Sequence, residues 1–356
     1  MHDTTQDPPR LTSLAHGGGC GCKIAPGVLS DLLRGAPLLP VPADLLVGRE
    51  ASDDAAVYRL NDRQAVVATT DFFMPVVDDP FDFGRIAATN ALSDLYAMGA
   101  TPLFALAIVG MPIDRLPRET IRDILRGGEQ ACADAGILVA GGHSIDSVEP
   151  IYGLAAVGVV DPARMTRNGG ARDGDVLVLG KPLGVGIYSS AFKKGVLDGD
   201  GYAELVATTT RANRVGIALA EIDGVHAMTD VTGFGLLGHA LEMCRASGLA
   251  ARIDVDALPL LAQAASLRDA GCVTGASGRN WASYGEEVRF DGDLDASWRP
   301  LLTDPQTSGG LLVACAPEAV AAVLAAFHHG GHAQAAVVGR LAAGAPSVRV
   351  GQGPVA

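Results

Sequence analysis

The stretch QAVVATTDFFMPVVDDPFDFGRIAATNALSDLYAMGA, residues 64–100, reads as a strand over 64–72 followed by a helix over 84–100. Asp71 follows the β-branched run VVATT at the end of that strand. Asp94 stands in a helix made mostly of small and apolar residues, and Asn90 lies four residues earlier, on the same helical face. Ionised carboxylates in such surroundings are costly unless they are paired or bind a metal.

Working outward, AAVYRL (55–60) is a strand before this unit. After it come a strand LFALAIVGM (103–111), a helix RETIRDILRGGEQACADAG (118–136) and two strands, LVAGG (138–142) and IYGLAAVGVV (151–160). The order β-β-α-β-α-β-β is not a strict βαβ alternation. It points to an α+β domain with helices on one sheet face and away from a Rossmann domain. The polar, glycine-containing break DPARMTRNGGARDGD (161–175) marks a domain boundary. Beyond it follow a strand (176–180), one long helix (202–222), a helix (234–248), a strand (311–316), a helix (317–330) and a strand (333–341), a second α+β domain. Residues 1–47, rich in Gly and Pro, read as a mobile arm with one short helix at 27–35. The first domain then spans 48–161 and the second 172–350.

A chain of 356 residues fits two domains. Hydrophobic residues make up 48% and aromatics 5%, so the cores should be tight and aliphatic. The net charge of −13 and the lack of any Lys/Arg-rich run speak against a nucleic-acid partner. A polyanionic substrate would have to be brought with metal ions. No run reaches about 18 apolar residues, and the polar start MHDTTQDPPR lacks the apolar stretch of a signal peptide. The expectation is a cytoplasmic protein with no membrane partner. The cysteines (20, 22, 132, 244, 272 and 315) then read as thiols, the last four as core filler.

Asp53 and Asp54 precede the first strand, and Asp230 ends HAMTD before VTGFG. Mg²⁺ accepts carboxylate oxygens together with nucleotide phosphates, so Asp54, Asp71 and Asp94 together read as a metal–nucleotide site. Asp53 and Asp230 would serve equally as turn or cap residues. The glycine-rich runs AGGHS (140–144) and TDPQTSGG (303–310) fit either phosphate approach or tight turns. No P-loop or Rossmann phosphate motif is present. In HGGGCGCKIAP (16–26), a zinc clip would lack its second ligand pair. A redox pair would have C-x-x-C spacing. A nucleophilic thiol beside Lys23 fits better, and lysine occurs elsewhere only at 181, 193 and 194. His16 is a candidate base or ligand, and His143 sits in a glycine loop. His328, His329 and His332 read as a solvated helix end.

Together HGGGCGCKIAP, DDAAVY, residues 69–100, AGGHSID, DVTGFGLLGH and DPQTSGGLL resemble the selenophosphate synthetase (selenide, water dikinase) family, over about residues 11–345. The aspartate and DPQTSGG motifs are shared with the wider aminoimidazole ribonucleotide synthetase superfamily. The resemblance implies a two-domain α+β fold of that superfamily. Its N-terminal ferredoxin-like sheet would join a second copy in a homodimer barrel, and its C-terminal domain would be an α+β sandwich. It also implies conversion of ATP, selenide and water to selenophosphate, AMP and phosphate, with Mg²⁺ and a monovalent cation such as K⁺. The product would donate selenium for selenocysteine and selenouridine synthesis. Selenium would arrive as free selenide or from a delivery protein. By motif matching, Cys20 falls on the catalytic position and Lys23 on the essential lysine, which also meets the nucleotide. Asp54, Asp94 and Asp230 fall on magnesium ligands. Ala51, Ser52, Asp53, Asp71, Asp94, Gly142, His143 and Ser144 fall on ATP contacts. Cys22 matches a less critical second cysteine.

Overall fold

The computed structural model describes residues 9–24, 26–33, 41–48, 53–292 and 294–353. A short helix, α1 (Pro26–Leu33), precedes the first domain, which contains β1 (Leu45–Val47), β2 (Ala56–Asn61), β3 (Gln64–Phe73), α2 (Pro80–Ala97), β4 (Thr101–Met111), α3 (Arg118–Asp134), β5 (Val139–Asp146) and β6 (Ile151–Val160). The sheet order is β1-β2-β3-β6-β4-β5, with only β4 and β5 parallel. Asp79 starts α2 by accepting the Asp82 N–H, with Pro80 as the first helical residue. Helices α2 and α3 pack together so closely that a Cβ at Gly84 would lie 1.9 Å from the Ile124 carbonyl oxygen. They cover one sheet face. Strand alternation leaves Tyr58, Leu60, Phe72, Phe104 and Leu106 exposed on the other strand positions.

The second domain comprises β7 (Val176–Leu179), α4 (Val185–Lys193), α5 (Gly199–Thr209), α6 (Val215–Ala220), β8 (Val225–Asp230), α7 (Gly235–Ser247), β9 (Leu249–Asp254), α8 (Ala264–Asp269), α9 (Gly275–Tyr284), β10 (Val288–Phe290), α10 (Trp298–Leu302), β11 (Leu311–Cys315), α11 (Val320–His329), β12 (Ala336–Ala343) and β13 (Ser347–Gly351). Its sheet runs β10-β13-β9-β12-β7-β11-β8. Helix α2 belongs to both domains in packing terms. Its residues from Ile86 to Ala97 are all buried, between the first sheet and the second domain. Asn213 fastens it, donating to Ser93 Oγ at 2.8 Å and to the Gly309 carbonyl at 2.7 Å. Among the described residues no helix is long and apolar enough to cross a membrane.

Four expectations need correction. The single helix over 202–222 is two helices, α5 and α6. Thr209 and Thr210 donate back to the Leu205 and Val206 carbonyls, satisfying the last turn, and the chain then turns Asn213 into the domain interface. The strand at 138–142 continues to Asp146, so His143 sits on a strand opposite Ile108 and not in a glycine loop. The first sheet begins at Leu45, within the segment assigned to the arm, because 45–47 pair with β2. His332 is not solvated. It is 1% exposed, packed edge-on against Phe327, and burial pushes its pKa down to about 3. Cys132, Cys244, Cys272 and Cys315 are buried, as core filler should be.

The segment over 9–24, expected as mobile, is docked here against both domains. Leu11 and Leu14 are buried, and the Thr12 backbone and hydroxyl both donate to Asp78. The Gly19 N–H donates to the Met74 carbonyl at 2.9 Å. The Cys20 N–H donates to Thr307 Oγ1 at 3.0 Å. Gly19 takes a left-handed φ of +52°, and a Cβ there would lie 2.1 Å from Thr307 Oγ1. Docking therefore demands glycine at this position on two grounds. Gly19→Ala should lift the arm and expose Cys20, which is now 1% accessible. Alkylation of Cys20, followed by mass spectrometry, should then run roughly tenfold faster or more. Equal rates would show that docking does not depend on Gly19.

Candidate active site

Strand β3 turns Thr69, Asp71 and Phe73 toward α2. Two residues along a strand advance about 6.8 Å, and four along a helix about 6 Å. The strand pair Thr69/Asp71 therefore matches the helix pair Asp94/Asn90 rung for rung. Thr69 Oγ1 donates to Asp94 Oδ2, and Asn90 Nδ2 donates to Asp71 Oδ2 at 2.7 Å. Asp230, at the end of β8, and Asp54, just before β2, complete the cluster. Thr229, next to Asp230 in the chain, donates its hydroxyl to Asp54 Oδ1 at 3.0 Å.

The carboxylates disfavour one another's charge. Burial first, then Asp230 and Asp94, hold Asp54 well above the usual carboxylate range. Burial, Asp230 and Asp71 do the same to Asp94. Burial also raises Asp230, against the Ser93 hydroxyl, His239 and Lys23. Asp54 Oδ2 and Asp230 Oδ2 are buried without a hydrogen-bond partner. Among the described residues no three His, Cys, Asp or Glu side chains already stand as a finished metal cage. The donor set nevertheless fits a hard divalent cation. It consists of oxygens only, it includes two orphaned acceptors, and it carries negative charge that only a cation or protons can relieve.

The arm brings one cation and one thiol to the edge of this cluster. Lys23 Nζ donates to Asp71 Oδ2 at 3.0 Å. Burial opposes its charge, but Asp71 first and then Asp94 hold its pKa well above the usual lysine value. Cys20 Sγ lies 3.1 Å from Asn90 Oδ1. That oxygen also accepts the Ser308 N–H at 2.7 Å, which fixes the amide's orientation, since a backbone N–H only donates. Cys20 must then be the donor, a protonated thiol. Its pKa is accordingly raised well above normal, by burial first and by Asp71 against the opposing pull of Lys23.

The structure thus brings together Cys20, Lys23, Asp54, Asp71, Asp94 and Asp230. Asp53 turns elsewhere, accepting the Asn168 N–H at 2.7 Å. Gly142, His143 and Ser144 lie on β5, with β6 and β4 between them and β3. At about 4.8 Å per strand that is a gap of roughly 14 Å. Ala51 and Ser52 lie outside the described residues. His16 pairs with Glu149 at 2.8 Å, away from the carboxylates.

Sequence reasoning assigned no role to Asn90, Thr69, Thr229, Thr307 or Ser308. The first had a visible signal in its placement four residues before Asp94; the threonines had none. TDPQTSGG is no phosphate loop, because residues 303–310 are wholly buried. Asp304 Oδ2 accepts the Gly186 and Ile187 N–H groups, and Gln306 Oε1 those of Gly184 and Val185, capping α4. Burial raises the Asp304 pKa to about 8, against these bonds. Ser308 holds φ +51°, the one positive value outside glycine among the described residues. Buried Lys181 clamps its carbonyl at 2.7 Å.

Residues 52–160 match the N-terminal domain, and residues 172–351 the C-terminal domain, of AIR synthase related proteins. The selenide, water dikinase of Burkholderia pseudomallei (strain K96243) is 69% identical over 342 residues, covering 96% of this chain and 97% of that protein. The selenide, water dikinase of Pseudomonas straminea is 65% identical over 344 residues, 96% of each chain. A solved thiamine-monophosphate kinase from Stenotrophomonas maltophilia K279a superimposes with a TM-score of 0.60 at 22% identity, covering 86% of this chain and 91% of that one, a likeness of fold. With the arm, the carboxylate cluster and near-full-length identity in agreement, the chain belongs to the selenide, water dikinase family.

Proposed function

We propose that the protein forms selenophosphate from ATP, selenide and water, releasing AMP and phosphate. One observation carries this reading: Cys20 and Lys23, three residues apart on a glycine-rich arm, meet a cluster of four aspartates, three of them buried and Asp54 half-buried. Phosphoryl transfer asks the protein mainly for positioning and charge stabilisation. Asp54, Asp94 and Asp230 would hold Mg²⁺, which when bound neutralises the nucleotide phosphates. Lys23, paired to Asp71, is placed to follow developing negative charge on a transferred phosphoryl group. Cys20 offers a soft sulfur suited to selenium in a pocket closed to water. In the docked state it is a thiol, so handling selenium requires it to leave Asn90 Oδ1 or lose its proton. Opening the arm at Gly17–Gly19 would admit substrates and the second-step water. A monovalent cation such as K⁺ belongs to this reading without assigned residues. Six free thiols suit a reducing, cytoplasmic compartment.

The homodimer is part of the same reading. Support comes from the apolar sheet positions Tyr58, Leu60, Phe72, Phe104 and Leu106, exposed opposite the helices. It comes also from the gap between residues 142–144 and the aspartates of their own chain. A second sheet joined to this one would let Gly142, His143 and Ser144 reach nucleotide held by the other copy. Ala51, Ser52 and Asp53 would line the nucleotide from the segment preceding β2.

The decisive assay is nucleotide turnover with and without selenide. AMP should accumulate only with selenide; ADP without a selenide effect would instead mark a small-metabolite kinase. Cys20→Ser should abolish selenophosphate formation while Cys22→Ser retains much of it, and equal losses would make the pair one functional unit. Asp94→Asn should weaken nucleotide binding at limiting Mg²⁺ by about tenfold, the loss of one charge-assisted contact. Unchanged affinity would remove Asp94 from the metal site. In sedimentation equilibrium the protein should run as a dimer, and Phe104→Asp combined with Leu106→Asp as a monomer. A wild-type monomer would overturn the assembly.

A further inference from the structure

The arm has a second side. A cavity of about 390 Å³ lies against it, lined by Gly17, Gly18 and Gly21, by the C-terminal part of α4 and by the start of α9. None of the four clustered aspartates lines it, and neither do Asn90, Cys20 or Lys23. His16, Lys193, Lys194 and Arg279 do, and among the described residues no carboxylate joins them. In a chain of net charge −13 with four lysines, two of the four are spent here.

These cations are held in place without being neutralised. Lys193 Nζ donates to the Gly17 carbonyl at 2.6 Å, Lys194 Nζ to the Gly271 carbonyl at 2.7 Å, and Arg279 to the Gly21 carbonyl at 2.9 Å. A carbonyl takes one N–H and leaves the charge and the remaining donors available. His16 pairs with Glu149 and is left out of the count of cations. Burial lowers the Lys193 pKa, while Asp78, Glu149 and Cys22 raise it, so Asp78 and Glu149 are the carboxylates that temper the field at that wall.

We propose that this cavity gathers the selenium substrate, as the hydroselenide monoanion, against the glycine segment that carries Cys20. The proposal rests on the selenophosphate reading above. From the nucleotide side an anion would meet Asp54, Asp71, Asp94 and Asp230 together with the phosphates, and like charges in a poorly solvated site repel. From the cavity side it meets three cations, and Gly17, Gly18 and Gly21 of the segment that carries Cys20 form part of the wall. A positive concavity raises the local concentration of an anion and its rate of arrival. Because the arm forms one wall, an anion held there also favours the docked arm.

The test is steady-state kinetics with selenide varied at saturating ATP. Lys194 is exposed, so its replacement leaves folding intact. Lys194→Ala should raise the selenide KM about fivefold, as for one partly solvated charge, and Lys194→Glu should raise it further, while the ATP KM stays unchanged. Lys194→Arg should keep the wild-type value. Selenide kcat/KM should fall with ionic strength in the wild type, and less steeply in Lys194→Ala. An unchanged selenide KM in Lys194→Glu overturns the proposal, and so does a parallel rise in the ATP KM. A wild type that makes AMP without needing selenide overturns both this inference and the reading beneath it.

Discussion

The structure turns on one carboxamide. Asn90 Oδ1 accepts from Ser308 of the second domain and from the Cys20 thiol of the arm, while Nδ2 donates to Asp71 of the first domain. A carboxamide offers an acceptor and a donor on one rigid plane, which neither an ionised Asp nor a Leu does. The Ser308 turn that feeds it a proton is strained, and Lys181 and the caps on α4 hold that turn in place. A buried donor or acceptor left unmatched costs more than an average hydrogen bond returns. The three parts of the molecule are therefore coupled through a point that none can abandon without leaving polar atoms orphaned.

Around that point the molecule tolerates an unfavourable charge arrangement. Four aspartates, three of them buried, share one site with Lys23 paired to Asp71, and two of their oxygens lack partners. Such a cluster makes little sense as a stabilising device, because desolvation and like-charge repulsion both oppose it. It makes sense as a receptor for positive charge carried in with a polyanion, which is what an acidic protein needs to bind nucleotide.

Much of this was legible in the sequence, and the illegible parts share a cause. The strand at 64–72 and the helix at 84–100 carried clear periodicity, and the aspartates stood out by position. What failed depended on contacts far along the chain. Nothing local marks Asn213 as the point where 202–222 must break, since its partners are Ser93 and Gly309. Residues 138–142 read as a strand with His143 in a glycine loop beyond it, yet the strand runs on to Asp146, and φ values of +146° and +155° at Gly141 and Gly142 allow Gly142 to lie against Ala107. DPQTSGG fitted either phosphate approach or a tight turn, because glycine-rich composition suits both. Its carboxylate, amide and hydroxyl are consumed by α4 and by the arm.

The arm divides two fields of opposite sign, and its composition follows from that. One side carries Lys23 and Cys20 toward carboxylates; the other presents bare backbone to Lys193 and Arg279. A side chain at Gly19 would strike Thr307, and one at Gly18 would stand 2.8 Å from the Pro75 carbonyl. Glycine is thus needed for fit, and Gly17, Gly18 and Gly21 also line the cavity on the other side. A reaction that must bring a soft anion and a nucleotide polyanion to one place gains from such a partition. Each reactant can be drawn in by charge that would repel or trap it on the other side.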